Sequence, residues 1–188
     1  NPEFGHNALI SKLLELENIQ PFGSYGGYKI GFSGTLRRMR KVADVAEWLN
    51  ENLPSECNGS IIGAENTKIK KIGVISGGGA FPALFSEMRA EGVNCLVTGE
   101  FTHESYHYAL ETGIPVITLG HYRSEIPGVL AVKDLVEEKF GRKGACSGGS
   151  PERRAAWRLP ASSGMPCRPR SAAPPLRACT GRCRRDAR

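Results

Sequence analysis

The fold is decided by residues 70–125, which read KKIGVISGGGAFPALFSEMRAEGVNCLVTGEFTHESYHYALETGIPVITLGHYRSE. Three short apolar runs in this stretch are each followed by a glycine-containing loop and then by residues with helical spacing. The predicted strands are residues 70–75, 93–98 and 115–119, and the predicted helices are residues 80–91, 101–112 and 124–140. Three strand–helix units in succession indicate a mostly parallel or mixed sheet covered by helices. The predicted fold class is therefore α/β.

Upstream of this stretch the pattern is less regular. Apolar side chains at helical spacing predict one helix over residues 7–17 and another over residues 40–52. Residues 21–34 contain glycines that break helices, and apolar residues alternate from residue 28 onward, which predicts a strand. A short strand is predicted near residues 60–63.

The composition changes abruptly near Gly141. Residues 142–188 hold 12 of the 25 Lys and Arg but only 2 of the 19 Asp and Glu, a net charge of +10 that leaves −4 on residues 1–141. With few aliphatic residues, this segment cannot bury enough apolar area to offset the entropy of ordering it. We predict a domain at residues 1–141 and a disordered tail at residues 142–188 that is read out of frame. The alternative is a native basic arm that binds nucleic acid.

The cysteines and the apolar runs restrict the class of protein. Cys57 and Cys95 are the only cysteines in residues 1–141, and two cysteines do not make a disulfide framework. We recognise no signal-peptide pattern in these residues and no apolar run long enough to span a bilayer, and we expect neither feature. We therefore expect a cytoplasmic protein with no membrane partner. Because the sequence opens without an initiator Met, we also expect it to begin inside a longer protein.

Candidate functional residues gather where the predicted strands end, which is where parallel α/β sheets bind ligands. His121 and Glu125 are four apart, and with a last helix beginning by Ser124 they would lie on the loop and in the first helical turn. Imidazole and carboxylate together suit Zn²⁺, Mn²⁺ or Fe²⁺. The alternative is a loop histidine beside a first-turn glutamate that favours the helix dipole.

Two further groups of polar residues follow the preceding strand. His103 and His107 are four residues apart and share one helical face. They could form a pair of metal ligands, or one could line a cleft while the other lies on the surface. Glu100 follows Gly99 at the end of this strand, where it could act as a ligand or general base, or accept hydrogen bonds from loop amides.

The loop at Ser76, Gly77, Gly78 and Gly79 lies between a strand and a helix. It is neither a Walker motif nor a dinucleotide-binding motif. Its amides could bind an anion at the helix terminus, or its glycines could let the backbone pass close to neighbouring elements.

Five strings in residues 1–141 resemble the NIF-three-like family, whose members are often described as GTP cyclohydrolase I type 2 homologues. The strings are VTGEFTH at 97–103, GHYRSEIPG at 120–128, IGVISGGGA at 72–80, PEFGHNAL at 2–9 and PFGSYGGYKIG at 21–31. The most specific of them is the one that contains His121 and Glu125.

The resemblance implies a two-lobed α/β fold whose cleft holds two divalent metal ions, with this chain as the C-terminal half. It implies that His121 and Glu125 are ligands and that Glu100 and His103 line the same cleft. It also implies a homo-oligomer, a hexamer in the family, and metal-dependent hydrolysis. The sequence does not name the substrate, for which a nucleotide-like molecule is one candidate. The alternative function is a non-catalytic scaffold or protein-interaction module in which the metals are structural.

The family's remaining ligands, a paired histidine segment and an aspartate, have no counterpart in this sequence. We therefore expect the chain to carry roughly half a metal site, to bind ions weakly and to be inactive by itself, because affinity grows with ligand number and preorganisation.

Overall fold

The computed structural model describes residues 1–54 and 59–141. The helices are α1 (His6–Leu13), α2 (Val42–Asn52), α3 (Pro82–Glu91), α4 (His103–Thr112) and α5 (His121–Phe140). The strands are β1 (Glu17–Tyr25), β2 (Tyr28–Lys41), β3 (Ser60–Ile62), β4 (Lys68–Ile75), β5 (Cys95–Thr98) and β6 (Val116–Thr118). No helix in these two segments is long and apolar enough to cross a membrane. The predicted tail at residues 142–188 and Cys57 lie outside them.

The described strands form one mixed sheet in the order β1-β2-β4-β5-β6-β3. Strands β4, β5 and β6 run parallel and are joined by helices, as the three strand–helix units predict. A long hairpin, β1–β2, adds two antiparallel strands at one edge, and the short β3 pairs antiparallel with β6 at the other. The α/β class with a mixed sheet is thus confirmed.

Helices cover both faces of this sheet, because alternate strand residues enter two separate apolar clusters. Cys95 and Val97 belong to the cluster beneath α1 and α2, whereas Leu96 belongs to the cluster beneath α3 and α4. Strand β6 alternates in the same way, with Ile117 on the first side and Val116 on the second. Burial on both faces explains why these strands read as continuous apolar runs.

The first predicted helix is too long, and one strand was missed. Helix α1 ends at Leu13, four residues before the predicted end. Glu15, before β1, has a φ of 50°, and Asn18, the second residue of β1, has a φ of 53°. The backbone therefore turns at both positions. Strand β1 then occupies residues that include the end of the predicted helix.

Helix α5 begins at His121, three residues before the predicted start. The backbone reverses at Gly120, whose carbonyl accepts the amide of Ser124 at 3.0 Å. His121 and Glu125 therefore both lie on the helix, and the prediction that His121 lies on the loop is wrong.

Side chains from both other helices on this face hold α5 in place. His6 Nδ1 in α1 accepts a hydrogen bond from the Gly128 amide at 3.1 Å. Arg123, 2% exposed, donates to Asn50 Oδ1 at 2.7 Å and to the carbonyls of Asn50 and Leu53 at the end of α2. A cation suits this place because carbonyls at a helix end lack partners within the helix.

Candidate functional site

The ends of the three parallel strands are tied to one another by backbone hydrogen bonds. The amide of Glu100, just after β5, donates to the carbonyl of Gly77, just after β4, at 2.8 Å. The amide of Gly120, just after β6, donates to the carbonyl of Gly99 at 2.8 Å. The three loops predicted to carry function therefore form one connected surface at the carboxyl edge of the sheet.

His121 lies between two carboxylates on this surface. Its Nδ1 is 2.9 Å from Glu100 Oε1, and its Nε2 is 3.5 Å from Glu125 Oε1. The imidazole side chain is 49% exposed, and the Glu100 and Glu125 side chains are 58% and 43% exposed. Because an ionised carboxylate can only accept, Nδ1 carries the hydrogen of the shorter contact.

The two carboxylates also set the charge preference of the histidine. The hydrogen bond to Glu100 raises the pKa of His121, and the negative charges of Glu100 and Glu125 act in the same direction. Partial desolvation of the ring lowers the pKa, but its effect is smaller than that of the hydrogen bond to Glu100. The pocket around the imidazole therefore favours positive charge.

Gly77 leaves open the space in front of His121 and Glu125. A Cβ at this position would lie 2.7 Å from Glu125 Oε1 and 3.1 Å from His121 Nε2. Its φ of +64° is a second reason for glycine, because other residues rarely adopt the left-handed conformation. The glycine thus leaves room beside the two atoms best suited to bind a cation.

Gly99 is needed for a different close approach. A Cβ there would lie 2.5 Å from Ser124 Oγ and 2.6 Å from the carbonyl oxygen of Gly77. The absence of a side chain lets the β4 and β5 loops and the first turn of α5 touch. These distances show close backbone passage at the point where Gly99 meets Gly77.

Ser124 is a site residue that the sequence did not reveal. Its hydroxyl oxygen accepts the Gly77 amide at 2.9 Å and donates to the His121 carbonyl at 2.8 Å. A serine near a helix start is commonly a cap, but here it is buried inside the first turn. Its partner is 47 positions away, so no local pattern could have found it.

Two amides of the Ser76–Gly79 loop are already engaged. The amide of Ser76 donates to Asn7 Oδ1 at 2.6 Å, and the Asn7 side chain also donates to the Ile30 carbonyl at 2.7 Å. The amide of Gly77 is taken by Ser124. That this loop binds an anion stays a prediction. Because the amides of Ser76 and Gly77 are engaged, it concerns the amides of Gly78 and Gly79.

His103 and His107 lie on α4 with their rings edge to face, 5.3 Å between centroids. Both are exposed, and the interplanar angle of 85° sets the rings across each other. The ring contact of His103 is with His107 on the same helix, whereas the ion pairs of His121 are with Glu100 and Glu125. Its place in the same cleft stays a prediction.

The donor set suits a divalent cation but is incomplete in the described residues. Across residues 1–54 and 59–141 no group of three or more His, Cys, Asp or Glu side chains is arranged around one point. Glu100 and Glu125 do not complete such a group, because they approach opposite nitrogens of the ring. His121 Nε2 and Glu125 Oε1 fit as two ligands, and tetrahedral or octahedral coordination would need more.

Comparison with known proteins gives a family match over most of the chain. The family described as Duf34/NIF3 (NGG1p interacting factor 3) matches residues 1–147. A GTP cyclohydrolase 1 type 2 homolog of Pyrococcus horikoshii is 40% identical over 144 residues, which are 76% of this chain and 56% of the relative. Its counterpart in Deinococcus radiodurans is 38% identical over 141 residues, 75% of this chain and 52% of the relative. The chain thus spans about half the length of the curated relatives it matches.

A similar fold occurs among solved structures. Reduced HcgD from Methanocaldococcus jannaschii superposes with a TM-score of 0.62 at 23% identity, over 73% of this chain and 53% of that one. At this identity the likeness concerns the fold alone.

Proposed function

Because the chain belongs to the Duf34/NIF3 family, as its loop strings predict, we propose that it supplies part of a divalent-metal site for hydrolysis. In this proposal His121 and Glu125 are ligands of a centre of two divalent ions, Zn²⁺, Mn²⁺ or Fe²⁺, and further ligands come from outside the described residues. The substrate is a small, nucleotide-like molecule. A cytoplasmic location and a homo-oligomer belong to the same proposal.

One observation carries the proposal. His121 Nε2 and Glu125 Oε1 are 3.5 Å apart on one face of α5, both side chains are about half exposed, and Gly77 keeps the space beside them free. An imidazole and a carboxylate at one open point are the ligand pair common in catalytic zinc and iron sites.

The described residues would divide the work at such a centre. Two divalent ions, when bound, would act as Lewis acids and lower the pKa of a water molecule. His121 and Glu125 would fix the position of that chemistry relative to the sheet edge. The amides of Gly78 and Gly79, at the adjoining loop, would receive a negatively charged part of the substrate.

The test is a titration of the full 188-residue chain with Mn²⁺ alone, followed in amide nuclear magnetic resonance spectra. Paramagnetic broadening reports weak binding, which is the regime expected for two ligands. We expect the amides of Gly77, Gly78 and His121 to broaden first. His121→Ala and Glu125→Gln should raise the Mn²⁺ concentration needed at least about tenfold, while the matched control His107→Ala should not change it.

Two results would count against the proposal. Broadening centred elsewhere, or unchanged in both ligand variants, would remove the metal site from this surface. If His121→Ala lowers the stability of the Mn²⁺-loaded chain, yet a panel of nucleotides added to that loaded chain leaves the amide signals of Gly77, Gly78 and His121 unchanged, the metals are structural. That outcome would favour the non-catalytic scaffold.

A further inference from the structure

We infer that Glu100 is a positioning residue that holds His121 in the tautomer and orientation needed to bind a cation, and that it is not itself a ligand. This inference rests on the proposed function, because the cation that His121 would bind belongs to that proposal. The contact between Glu100 and His121 itself is present in the metal-free chain. It also separates two carboxylates that the sequence left equivalent. Glu125 faces the open space, whereas Glu100 lies behind the ring.

The first step is that Glu100 and Glu125 contact different nitrogens. Glu100 Oε1 is 2.9 Å from Nδ1, a normal hydrogen-bond length, whereas Glu125 Oε1 is 3.5 Å from Nε2. The two nitrogens point away from each other across the ring. One cation therefore cannot take Glu100 Oε1, His121 Nε2 and Glu125 Oε1 together while the Glu100–His121 hydrogen bond persists.

The second step concerns the tautomer of the neutral imidazole. Since the Glu100 carboxylate accepts from Nδ1–H, the lone pair of the neutral ring lies on Nε2. That nitrogen is the one beside Glu125 and the space left by Gly77. Histidine ligands of metals commonly donate their other ring N–H to a carboxylate, and the partner both orients the ring and strengthens the donor.

The third step is that the backbone of Glu100 is anchored, so the carboxylate can hold the ring. The Glu100 amide donates to the Gly77 carbonyl at 2.8 Å. The hydroxyl of Thr98, itself buried, lies 3.4 Å from the same Gly77 carbonyl and 3.5 Å from the Glu100 carbonyl. His121 is only half buried, so without Glu100 its ring would rotate and both tautomers would be accessible.

The experiment begins without metal, with ¹⁵N-labelled histidine in the full chain at a pH where His121 is neutral. The nitrogen chemical shifts show which ring nitrogen carries the hydrogen. We expect Nδ1–H for His121 in the wild type and a mixture of tautomers in Glu100→Ala. Glu104→Ala, which removes an exposed carboxylate from the first turn of α4, is the matched control and should leave the shifts unchanged.

The same variants are then titrated with Mn²⁺. We expect Glu100→Ala to weaken binding about 10–100-fold with the same broadened amides, as for loss of an outer carboxylate. Glu125→Gln should weaken Mn²⁺ binding and leave the His121 tautomer unchanged. If Glu100 had a merely structural role, Glu100→Ala would also leave the tautomer unchanged.

The outcomes separate this inference from the proposed function. Nε2–H in the wild type, or no change of tautomer in Glu100→Ala, overturns the inference whether or not metal binds. The expected tautomers with no His121-dependent Mn²⁺ binding uphold the positioning by Glu100 and remove the proposed function. Equal Mn²⁺ affinity of Glu100→Ala and the wild type, with binding dependent on His121, overturns the inference and leaves the metal site standing.

Discussion

Ser124 joins the Gly77 turn to the first turn of α5. Its hydroxyl oxygen lies 2.9 Å from the Gly77 amide nitrogen and 2.8 Å from the His121 carbonyl oxygen, and its side chain is fully buried. One hydroxyl thus fixes the helix that carries His121 and Glu125 against the glycine that keeps the space beside them open.

Ser124→Ala should therefore destabilise the chain by about 1–3 kcal/mol, because the buried Gly77 amide loses its acceptor. Chemical denaturation measures the change in the free energy of unfolding. The matched control is Ser11→Ala, since the buried Ser11 hydroxyl donates only to the Asn7 carbonyl, one turn earlier in the chain, and leaves no amide orphaned. Equal losses in the two variants would show that the Gly77 bond has no special role.

Gly77→Ala should abolish the site while the neighbouring substitution preserves it. The new methyl group would meet Glu125 Oε1 and His121 Nε2, and the left-handed backbone adds about 1–2 kcal/mol of strain. Gly78→Ala is the control, since its methyl group would meet only Glu100 Oε1, at an ordinary 3.6 Å. Mn²⁺ broadening should vanish in the first variant and persist in the second; the reverse would place the site elsewhere.

The carboxyl group of Glu87 on α3 should make the free energy of unfolding depend on pH in the acid range. Partial burial would raise its pKa, but hydrogen bonds from Lys29 and the amides of Ser24 and Gly23 outweigh that and lower it to about 2. The folded-state pKa lies below the unfolded value of about 4.5, so its contribution is complete above pH 4.5 and disappears toward pH 2.

Glu87→Gln should consequently lower the free energy of unfolding by about 2 kcal/mol at pH 7 and have little effect near pH 2. Denaturation of wild type and variant across this range gives the difference directly. Glu91→Gln, whose carboxylate is 3.7 Å from Lys29, should change stability by less than about 1 kcal/mol. A difference for Glu87→Gln that is independent of pH would contradict the assignment.

Arg123→Ala should destabilise the chain by about 3 kcal/mol, because a buried guanidinium donates to Asn50 Oδ1 and to three carbonyls at the end of α2. Arg123→Lys should recover only part of the loss, since an ammonium group lacks the planar fork. The exposed Arg38→Ala should stay within about 0.5 kcal/mol. Thermal denaturation of the three variants distinguishes these outcomes.

The part of the fold that the sequence predicted well is the part with a local signal. Strands β4, β5 and β6 are buried on both faces, so their apolar runs and the glycines after them mark strand ends clearly. Placing polar residues at those ends was enough to predict that the loops carrying Glu100 and His121 meet. The Glu100–His121 contact follows from that convergence.

The hairpin was harder to predict because glycines lie within its strands. Gly31 and Gly34 are strand residues whose missing side chains make room for the Val74 carbonyl and for Leu16, yet in the sequence they resemble breaks. Ser124 and Arg123 were missed for another reason. Their partners lie 47 and 73 positions away, and tertiary contacts of that kind leave no periodic pattern.

The bond between His6 and Gly128 has a consequence for how the chain folds. It links residues 122 positions apart, so this contact of helix α1 can form only once α5 is in place. Closing so long a loop carries an entropic penalty before any contact rewards it, and chains dominated by distant contacts fold slowly. Amide hydrogens of α1 and of α5 near Gly128 should therefore exchange with solvent in one shared opening event.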